Sequence, residues 1–520
     1  MPLARTHAIA LVGMQGHVVE VEADIENGLV GLQLIGLPDT ALREARDRIR
    51  SAVINSGHDW PMRRITVGLS PASLPKRGSG FDVGIAVALL CADGTLPEDC
   101  LAGTVFLGEL GLDGRIRAVS GVLPCIAAAA SAGFGRVVVP VQNAAEAALV
   151  PAVRVVAAPT LSGLVGWLRA GGPAVPGWDV QVVDSGAGLA APAEDRAPAI
   201  STGDLADVVG QPVARRAAEI SAAGGHHMLL LGPPGVGKTM LAERLPGIMP
   251  SLDPAAALEV SAIHSVAGAL KPDRPLVTEP PFCAPHHTAT KAAIVGGGSG
   301  VIRPGAASLA HHGCLFLDEA PEFDRDVLDA LRQPLESGEV VVARSGLTAR
   351  FPARFTLVLA ANPCPCARTT AGGSNCTCTP LVRRRYLARL SGPLLDRVDV
   401  KVELLPVGRA ELLSDRKLAE PSAAVAARVR QARLRAAHRL RGTRWRLNAE
   451  VPGSELRRSF RPEPGALVPL ERAMDRGQVS ARGADRIIRM SWTLADLAGQ
   501  ARPRLDEIGA ALGLWLGTGL

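Results

Sequence analysis

The most specific chemistry in the chain lies between residues 228 and 243. There Met-Leu-Leu-Leu leads into Gly232, Pro233, Pro234, Gly235, Val236, Gly237, Lys238 and Thr239, and then into helix-forming residues. The spacing is G-x-x-x-x-G-K-[ST] between a buried strand and a helix, the setting in which that pattern cradles phosphate. Glycines at 232, 235 and 237 let backbone N–H groups turn onto phosphate oxygens. The helix behind them adds the positive end of its dipole. Lys238 has the reach for β- and γ-phosphates, and the Thr239 hydroxyl can ligate Mg²⁺. A second apolar run, Gly313-Cys-Leu-Phe-Leu-Asp-Glu319, ends in two acids. Paired with the first run, it places Asp318 to hold Mg²⁺ through water and Glu319 to orient an attacking water. A third run, Phe355-Thr-Leu-Val-Leu-Ala-Ala-Asn362, ends on a polar residue that is, read plainly, a strand-end turn former.

A separate constellation is Cys364, Cys366, Cys376 and Cys378, in a loop rich in Gly, Thr, Ser and Asn. Four thiols so close together, in a chain read as cytoplasmic, favour a structural Zn²⁺. The C-x-C spacing is tighter than the usual C-x₂₋₄-C, so free thiols, a redox pair and another metal stay open as alternatives. His286 and His287 are adjacent, point apart and lack i,i+4 spacing, which suits them poorly as metal ligands.

These residues need a scaffold, and the 520-residue chain is long enough for about two to four domains. Its 47% hydrophobic content with only 3% aromatic content implies aliphatic cores. Residues 17–24 alternate like a half-buried strand, as do residues 64–69, and residues 8–14 read as the first strand. Residues 29–35, 105–110 and 136–140 are further strand candidates. Helical spacing covers residues 39–55, with buried or small-residue helices at 81–91 and 123–132. Residues 1–165 therefore form an α+β unit. Residues 166–203, rich in Gly, Pro, Ala and acids, form a linker. Residues 204–406 form an α/β unit around the phosphate motif, and residues 407–520 a helical one, so the fold class is multidomain α/β.

Net charge is +6, but residues 401–520 carry 22 Lys and Arg against 13 Asp and Glu, leaving the rest of the chain slightly acidic. A basic end on such a body suits a polyanionic partner, although surface arginines alone account for it equally. The six arginines from Arg428 to Arg441 read either as a solvated helix face or as nucleic-acid contacts. Nine cysteines are too few and too clustered for a secreted disulfide scaffold. No apolar run reaches 18 residues without a charge or proline, and the N-terminus lacks a cleavage pattern. The chain is expected to be soluble and cytoplasmic, with no membrane partner.

The chain resembles the YifB/ComM family of magnesium-chelatase-like AAA+ ATPases over its whole length. The resemblance rests on Leu37-Pro38-Asp39, Leu74-Pro-Lys-Arg-Gly-Ser-Gly-Phe-Asp82 and Leu107-Gly-Glu-Leu-Gly-Leu-Asp-Gly114 in the first unit, and on Asp204-Leu-Ala-Asp-Val-Val-Gly-Gln211 before the P-loop. Further on it rests on Ser308-Leu-Ala-His311, Glu319-Ala-Pro-Glu-Phe323, Leu331-Arg-Gln-Pro-Leu-Glu336, Ala361-Asn-Pro-Cys-Pro-Cys366 and Leu390-Ser-Gly-Pro-Leu-Leu-Asp-Arg397. It implies a Lon-protease-like (ribosomal S5 domain 2-like) first unit, an AAA+ core binding ATP and Mg²⁺, and a chelatase-like helical C-terminal unit. The protease dyad positions fall on Gly80 and Cys125, so both a Ser nucleophile and a Lys base are missing; Ser79 lies one residue away.

In the core, the resemblance makes Glu319 and Asn362 (sensor 1) place the catalytic water, and makes Arg397 an arginine finger reaching a neighbouring subunit's γ-phosphate. It makes Arg482, in Val479-Ser-Ala-Arg482, the sensor 2 arginine, with Arg486 and Arg489 as runners-up. A finger acting in trans implies a homo-oligomeric ring, which the resemblance makes a hexamer. Residues 268–305 and the hairpin at 339–351 resemble a helix-2 insert and a pre-sensor hairpin that project into the pore. His286, His287 and Arg344 are then candidate DNA contacts. Cys283 stands where Arg is expected, and Cys314 where a plain aliphatic is. The function so implied is an ATP-driven motor on DNA, working in helicase action or branch migration during recombination or transformation. Alternatives are a magnesium-chelatase ATPase subunit and a protein remodeller with a degenerate Lon-like domain.

Overall fold

The computed structural model describes residues 3–36, 40–76, 78–172, 179–183, 203–298, 302–344, 347–366, 369–370, 373–374, 376–408 and 419–518. The motif Leu37-Pro38-Asp39, most of the expected linker and the hairpin tip at Ser345 and Gly346 lie outside them.

Alternating small and branched residues over Leu3–Val12 and Gln15–Glu26 pair as a long antiparallel hairpin turning at Gly13 and Met14. It is the middle of a mixed eight-stranded sheet. The order is Gln181–Val183, Arg154–Ala158, Arg136–Pro140, Thr104–Phe106, Leu3–Val12, Gln15–Glu26, Arg64–Ser70 and Gly31–Ile35. Helices Thr40–Asn55, Asp82–Ala92 and Leu161–Arg169 cover one face and Val122–Ser131 the other, each over an aliphatic core. Asp82–Ala92 is buried along almost its whole length, which explains why its sequence shows no polar face.

Three expectations change here. The strand expected over residues 105–110 breaks at Gly108, whose φ of 152° takes the chain out of the sheet; Glu109–Leu110 instead pairs with Ile116–Arg117. Helix Leu161–Arg169 crosses the expected boundary at residue 165. Gln181–Val183, inside the expected linker, pairs with Arg154–Ala158 and extends the first sheet.

The second sheet is all parallel, in the order Phe282–Cys283, Cys314–Leu317, Thr356–Ala361, Met228–Leu231, Val400–Glu403. Its strands are continuous apolar runs, as burial on both faces requires. The chain enters at Met228–Leu231, adds three strands on one side and returns to place the last on the other. That reversal opens a crevice at the carboxyl ends of the strands, where ligands of such sheets bind. The expected insert at 268–305 is only partly an insert, because Phe282–Cys283 is the outer strand of this sheet.

The C-terminal helices Ser422–Arg439, Ala481–Ala498 and Leu505–Leu516 share one hydrophobic core with Pro212–Gly224 and the lower part of the second sheet. Four of the six arginines from Arg428 to Arg441 are ties rather than free charges. Arg428 donates to Glu219 and Glu420, Arg433 to the Ala222 carbonyl, Arg435 to the Asp496 carbonyl, and Arg439 to the Asp496 carboxylate while lying over Trp492. Arg430 and Arg441 are exposed, and their side chains bond to no described residue.

Candidate active site

Three of the parallel strands deliver their next residues to one place. Met228–Leu231 runs into the P-loop, Cys314–Leu317 into Asp318 and Glu319, and Thr356–Ala361 into Asn362. Pro234, Gly235, Gly237, Lys238, Thr239, Met240, Asp318, Glu319, Ala361 and Asn362 line an open cleft of about 360 Å³. Gly235 and Gly237 have φ of 80° and 95°, which a side chain would strain, and their faces toward the cleft are clear. Gly232 is constrained differently: a Cβ there would meet the Leu404 carbonyl at 2.6 Å. Gly232 and Pro233 turn their carbonyls to Lys238, and Val236 packs on the core beneath.

Lys238 is only 8% exposed. Its ammonium donates to Gly232 O at 2.6 Å, Pro233 O at 2.9 Å and Asn362 Oδ1 at 3.0 Å. Burial lowers its pKa, and the Asp318 and Glu319 charges oppose that fall. Thr239 Oγ1 donates to Asp318 Oδ2 at 2.7 Å, and the Glu319 N–H donates to Asp318 Oδ1 at 2.9 Å. Glu319 itself sits at φ 49°, ψ 43°, a left-handed conformation that costs a non-glycine residue roughly 1–3 kcal/mol and that turns its carboxylate out of the strand. The residues fit a Mg²⁺–nucleotide. A cationic amine lies behind an open glycine arc, and a hydroxyl–carboxylate pair stands where the metal binds. The leading motif is clamped beside them, with Arg244 donating to Asp204 O at 3.2 Å and to Asp207 at 3.1 Å. Gln211 donates to Leu405 O at 2.7 Å.

Local sequence missed one neighbour. His287 Nδ1 lies 3.5 Å from the Glu319 carboxylate, so this imidazole borders the cleft instead of standing free as a DNA contact. His286 Nδ1 meets the Thr288 hydroxyl at 2.9 Å. Only the order of the strands brings residue 287 beside residue 319, since Phe282–Cys283 pairs with Cys314–Leu317. Cys283 packs among apolar side chains that push its thiol up to about 12, and Cys314 is fully buried against Met249. The Arg344 side chain lies outside the described residues.

The structure does not bring Arg397 or Arg482 to the cleft lining. The Arg397 guanidinium is held by the Glu336 carboxylate and donates to Pro393 O at 2.6 Å, while its Nε is buried without an acceptor. Arg482 is exposed in the first turn of Ala481–Ala498 and bonds to no described residue. The runners-up are engaged elsewhere: Arg486 holds the Asp399 carboxylate and donates to Arg397 O at 2.9 Å, and Arg489 donates to Val451 O at 2.6 Å. Asp399 in turn meets His226 Nδ1 at 3.1 Å, and His226 Nε2 meets Thr493 Oγ1 at 2.8 Å. A buried polar chain therefore joins Asp399, two residues past Arg397, to the helix Ala481–Ala498.

The four cysteines do come together, with all sulfurs within 4.8 Å of one another. The Cys364–Cys366, Cys366–Cys376 and Cys376–Cys364 separations are 3.3, 3.4 and 3.4 Å. These are far beyond an S–S bond of about 2.05 Å and close to the S···S edge of about 3.8 Å of a tetrahedron with 2.3 Å Zn–S bonds. The Cys378 backbone N–H, the neighbouring sulfurs and Arg383 bring the Cys376 thiol down to about 6. A donor set of four converging sulfurs, one already favouring thiolate, fits Zn²⁺. Glu259, His311 and His312 also cluster, but His311 Nδ1 accepts the Arg354 N–H at 2.9 Å. Its proton is therefore on Nε2, which lies 3.3 Å from Glu259 without completing a hydrogen bond, so this is a close polar contact rather than a set of free metal ligands.

In the first unit the dyad positions are inert. Gly80 accepts the Gly108 N–H at its carbonyl, and Cys125 is buried with its thiol pushed well above the usual range. Ser79 donates to Glu109, and the fully buried Lys76 donates to the Pro71 carbonyl.

Comparison with known proteins matches three family models, described as magnesium chelatase, subunit ChlI over residues 204–412, subunit ChlI of Mg-chelatase over residues 21–143, and magnesium chelatase, subunit ChlI C-terminal over residues 419–514. An uncharacterised protein of Mycobacterium tuberculosis is 52% identical over 98% of both chains. Competence protein ComM of Haemophilus influenzae is 40% identical over 99% of this chain and 97% of its own. The uncharacterised protein YifB of Escherichia coli is 39% identical over 96% of this chain and 94% of its own. Among the described residues no helix is long and apolar enough to cross a membrane.

Proposed function

The chain belongs to the YifB/ComM family of magnesium-chelatase-like AAA+ proteins, and we propose that it is a ring-forming motor that hydrolyses ATP to act on DNA. The observation that carries the ATPase reading is the convergence of Lys238, Thr239, Asp318, Glu319 and Asn362 on one open cleft at the carboxyl ends of a parallel sheet. Lys238 exchanges the Gly232 and Pro233 carbonyls for phosphate oxygens while Asn362 keeps it aimed. Thr239 and Asp318 would hold Mg²⁺, which would supply charge neutralisation at the phosphates. Glu319, turned out of its strand, orients the attacking water and accepts its proton, with His287 steadying the carboxylate. Arg482, exposed on the helical unit, is the sensor 2 arginine that contacts the nucleotide.

Arg397 acts on the neighbour's nucleotide, exchanging Glu336 for the γ-phosphate. Its unaccepted Nε and its absence from its own cleft support a role across a subunit boundary, and hence a homo-oligomer, by family resemblance a hexamer. The units that carry this out are residues 1–165 with their added strand, 204–406 and 407–520. Cys364, Cys366, Cys376 and Cys378 hold one structural Zn²⁺ that fixes the loop between Asn362 and Arg397.

DNA as the partner is supported by the hairpin Glu339–Arg344 and Leu347–Pro352 and by a full-length relative named as a competence protein; helicase or branch-migration work on incoming DNA is the form of that role the family resemblance suggests. The second reading, a chelatase subunit inserting Mg²⁺ into a tetrapyrrole, is favoured by the family-model descriptions. The leading unit does not separate the two, because its own family model carries the chelatase description as well. ATPase rates with single-stranded, duplex and four-way DNA decide between them. Stimulation by one of these DNAs is expected; none from any DNA, with stimulation by chelatase partner subunits, would establish the second reading.

A further inference from the structure

Residues 362–395 contain five arginines and no lysine, aspartate or glutamate. This is the stretch that carries the cysteine cluster, and it runs into the finger segment, ending two residues before Arg397. Within it the helix Pro380–Leu387 is set apart by its packing. Thr379 caps it, accepting the Val382 N–H, and only Tyr386 is buried. Pro380, Leu381, Val382, Arg383, Arg384 and Arg385 are six consecutive exposed residues, with Leu381 57% and Val382 41% exposed. A helix in water ordinarily turns its aliphatic residues to a core. Here they stand out beside the arginines, and the cysteine cluster one residue before the cap anchors the helix in place of core packing.

The charges on this helix are not alike. Arg383 is taken up by a hydrogen bond to the Cys376 sulfur. Arg389, beyond the helix, donates to Pro321 O at 2.9 Å and to Glu322 at 3.2 Å. The side chains of Arg384 and Arg385 make no hydrogen bond or ion pair with any described residue. Even with a tetrathiolate zinc carrying −2, five arginines leave the stretch at +3. Two free guanidinium groups and flanking aliphatic side chains form a surface complementary to an extended polyanion with apolar faces, since the acid beside the helix, Glu322, is engaged by Arg389 and Tyr386. A protein partner presents mixed charges, which this helix, with no acid of its own, could answer only on one side.

We infer that the helix Pro380–Leu387, pinned by the cysteine cluster, is a docking surface for the sugar–phosphate backbone of a nucleic acid, with Arg384 and Arg385 on phosphates and Leu381 and Val382 against the sugars. The inference rests on the DNA-acting reading above and adds a contact surface separate from the insert and hairpin. It is tested in the full-length protein by fluorescence anisotropy with labelled single-stranded and duplex DNA over a salt series. Basal ATPase without DNA and assembly state are measured on the same samples.

The variant R384E/R385E is expected to keep basal ATPase and assembly and to lose about tenfold or more in DNA affinity. The slope of log K against log salt should shrink by roughly 1.4–1.8, the value for two phosphates. R384K/R385K, which keeps the charges, should stay within a few-fold of the unaltered protein. If the unaltered protein binds neither DNA, the DNA-acting reading fails and takes this surface with it. If it binds DNA and R384E/R385E binds with the same affinity and slope, only the surface is wrong. If R384E/R385E loses basal ATPase or assembly, the helix faces another subunit, and the inference is overturned in favour of a second copy of the chain.

Discussion

The first unit and the ATPase core both bury charged groups, and they treat them in opposite ways. In the first unit each such group is closed on a partner inside the fold. Lys76 donates to Pro71 O, Asp82 is clasped by Arg48 and by the Leu110 N–H, and Glu146 accepts from the Leu123 N–H at 2.9 Å and from Ser265. Burial still raises Asp82 to about 6, against the pull of Arg48. In the core, Lys238 is equally sequestered but its partners are two loop carbonyls and Asn362, all facing an open cleft. A buried charge signals function when its neighbours can be exchanged for a ligand, and architecture when they cannot.

The sharpest way to break this comparison is to remove one lysine from each region. Lys238→Ala is expected to abolish nucleotide binding, read by calorimetry or a fluorescent nucleotide. Lys76→Met should leave nucleotide binding unchanged and register only in thermal stability. Equal losses of binding from both would mean that the first unit reaches the cleft.

Arg397→Ala should bind ATP almost normally yet hydrolyse it roughly 10³–10⁵-fold more slowly, the range for arginine fingers. Mixing it with Lys238→Ala should return part of the activity, because an intact P-loop then meets an intact Arg397 at some interfaces. A co-assembled mixture that stays inactive would place Arg397 in cis or in a purely structural role. Glu319→Gln comes next, with normal binding and a fall of roughly 10²–10⁴-fold in turnover, the usual worth of general base catalysis. Turnover at the unaltered rate would remove Glu319 from that role.

A smaller effect is expected from the cysteine cluster. Metal analysis after dialysis against a weak chelator should find one zinc per chain; far less, with four titratable thiols, would reject the site. Stripping the metal should reduce hydrolysis without changing nucleotide affinity, because the loop it fixes leads from Asn362 toward Arg397 while the P-loop is held independently.

How much of this was legible beforehand followed the range of the interactions. Met228–Leu231, Cys314–Leu317 and Thr356–Ala361 are local patterns, apolar runs with chemistry at their ends, and the structure places them where their sequence does. The cysteines converge within one loop, so spacing sufficed. The sequence could not reveal pairings across hundreds of residues. Arg428 meets Glu219 and Arg433 meets Ala222 O, which turns an apparent nucleic-acid stripe into interior ties. His287 meets Glu319 only because a two-residue strand, too short to leave a pattern, joins the sheet. Gly108 ends a strand by its positive φ, which an apolar run does not announce.

The finest test concerns the contact between the two regions. The helix Pro254–Ala267 belongs to the core but carries Ser265, whose carbonyl accepts the Gly121 N–H at 3.0 Å and whose hydroxyl donates to Glu146. Two turns earlier on the same helix, Glu259 faces His311 and His312, which hold its pKa well below the usual carboxylate range. His312, at φ 56°, donates its N–H to Arg354 O at 2.6 Å, and the strand Cys314–Leu317 begins two residues later. The first unit thus rests on one end of a helix whose other part clamps the approach to Asp318 and Glu319. If the unit were only carried along, Ser265→Ala would lower thermal stability and leave turnover alone. Coupling through packed elements of this kind amounts to about 0.5–2 kcal/mol, or roughly two- to thirty-fold. Ser265→Ala is therefore expected to shift kcat by an amount near the lower end of that range, with nucleotide affinity unchanged. Glu259→Gln should shift it in the same direction, and the double variant should fall short of the product of the two, since both act through one helix. Independent, multiplicative effects would show that the regions touch without communicating, and would leave the contrast between them complete.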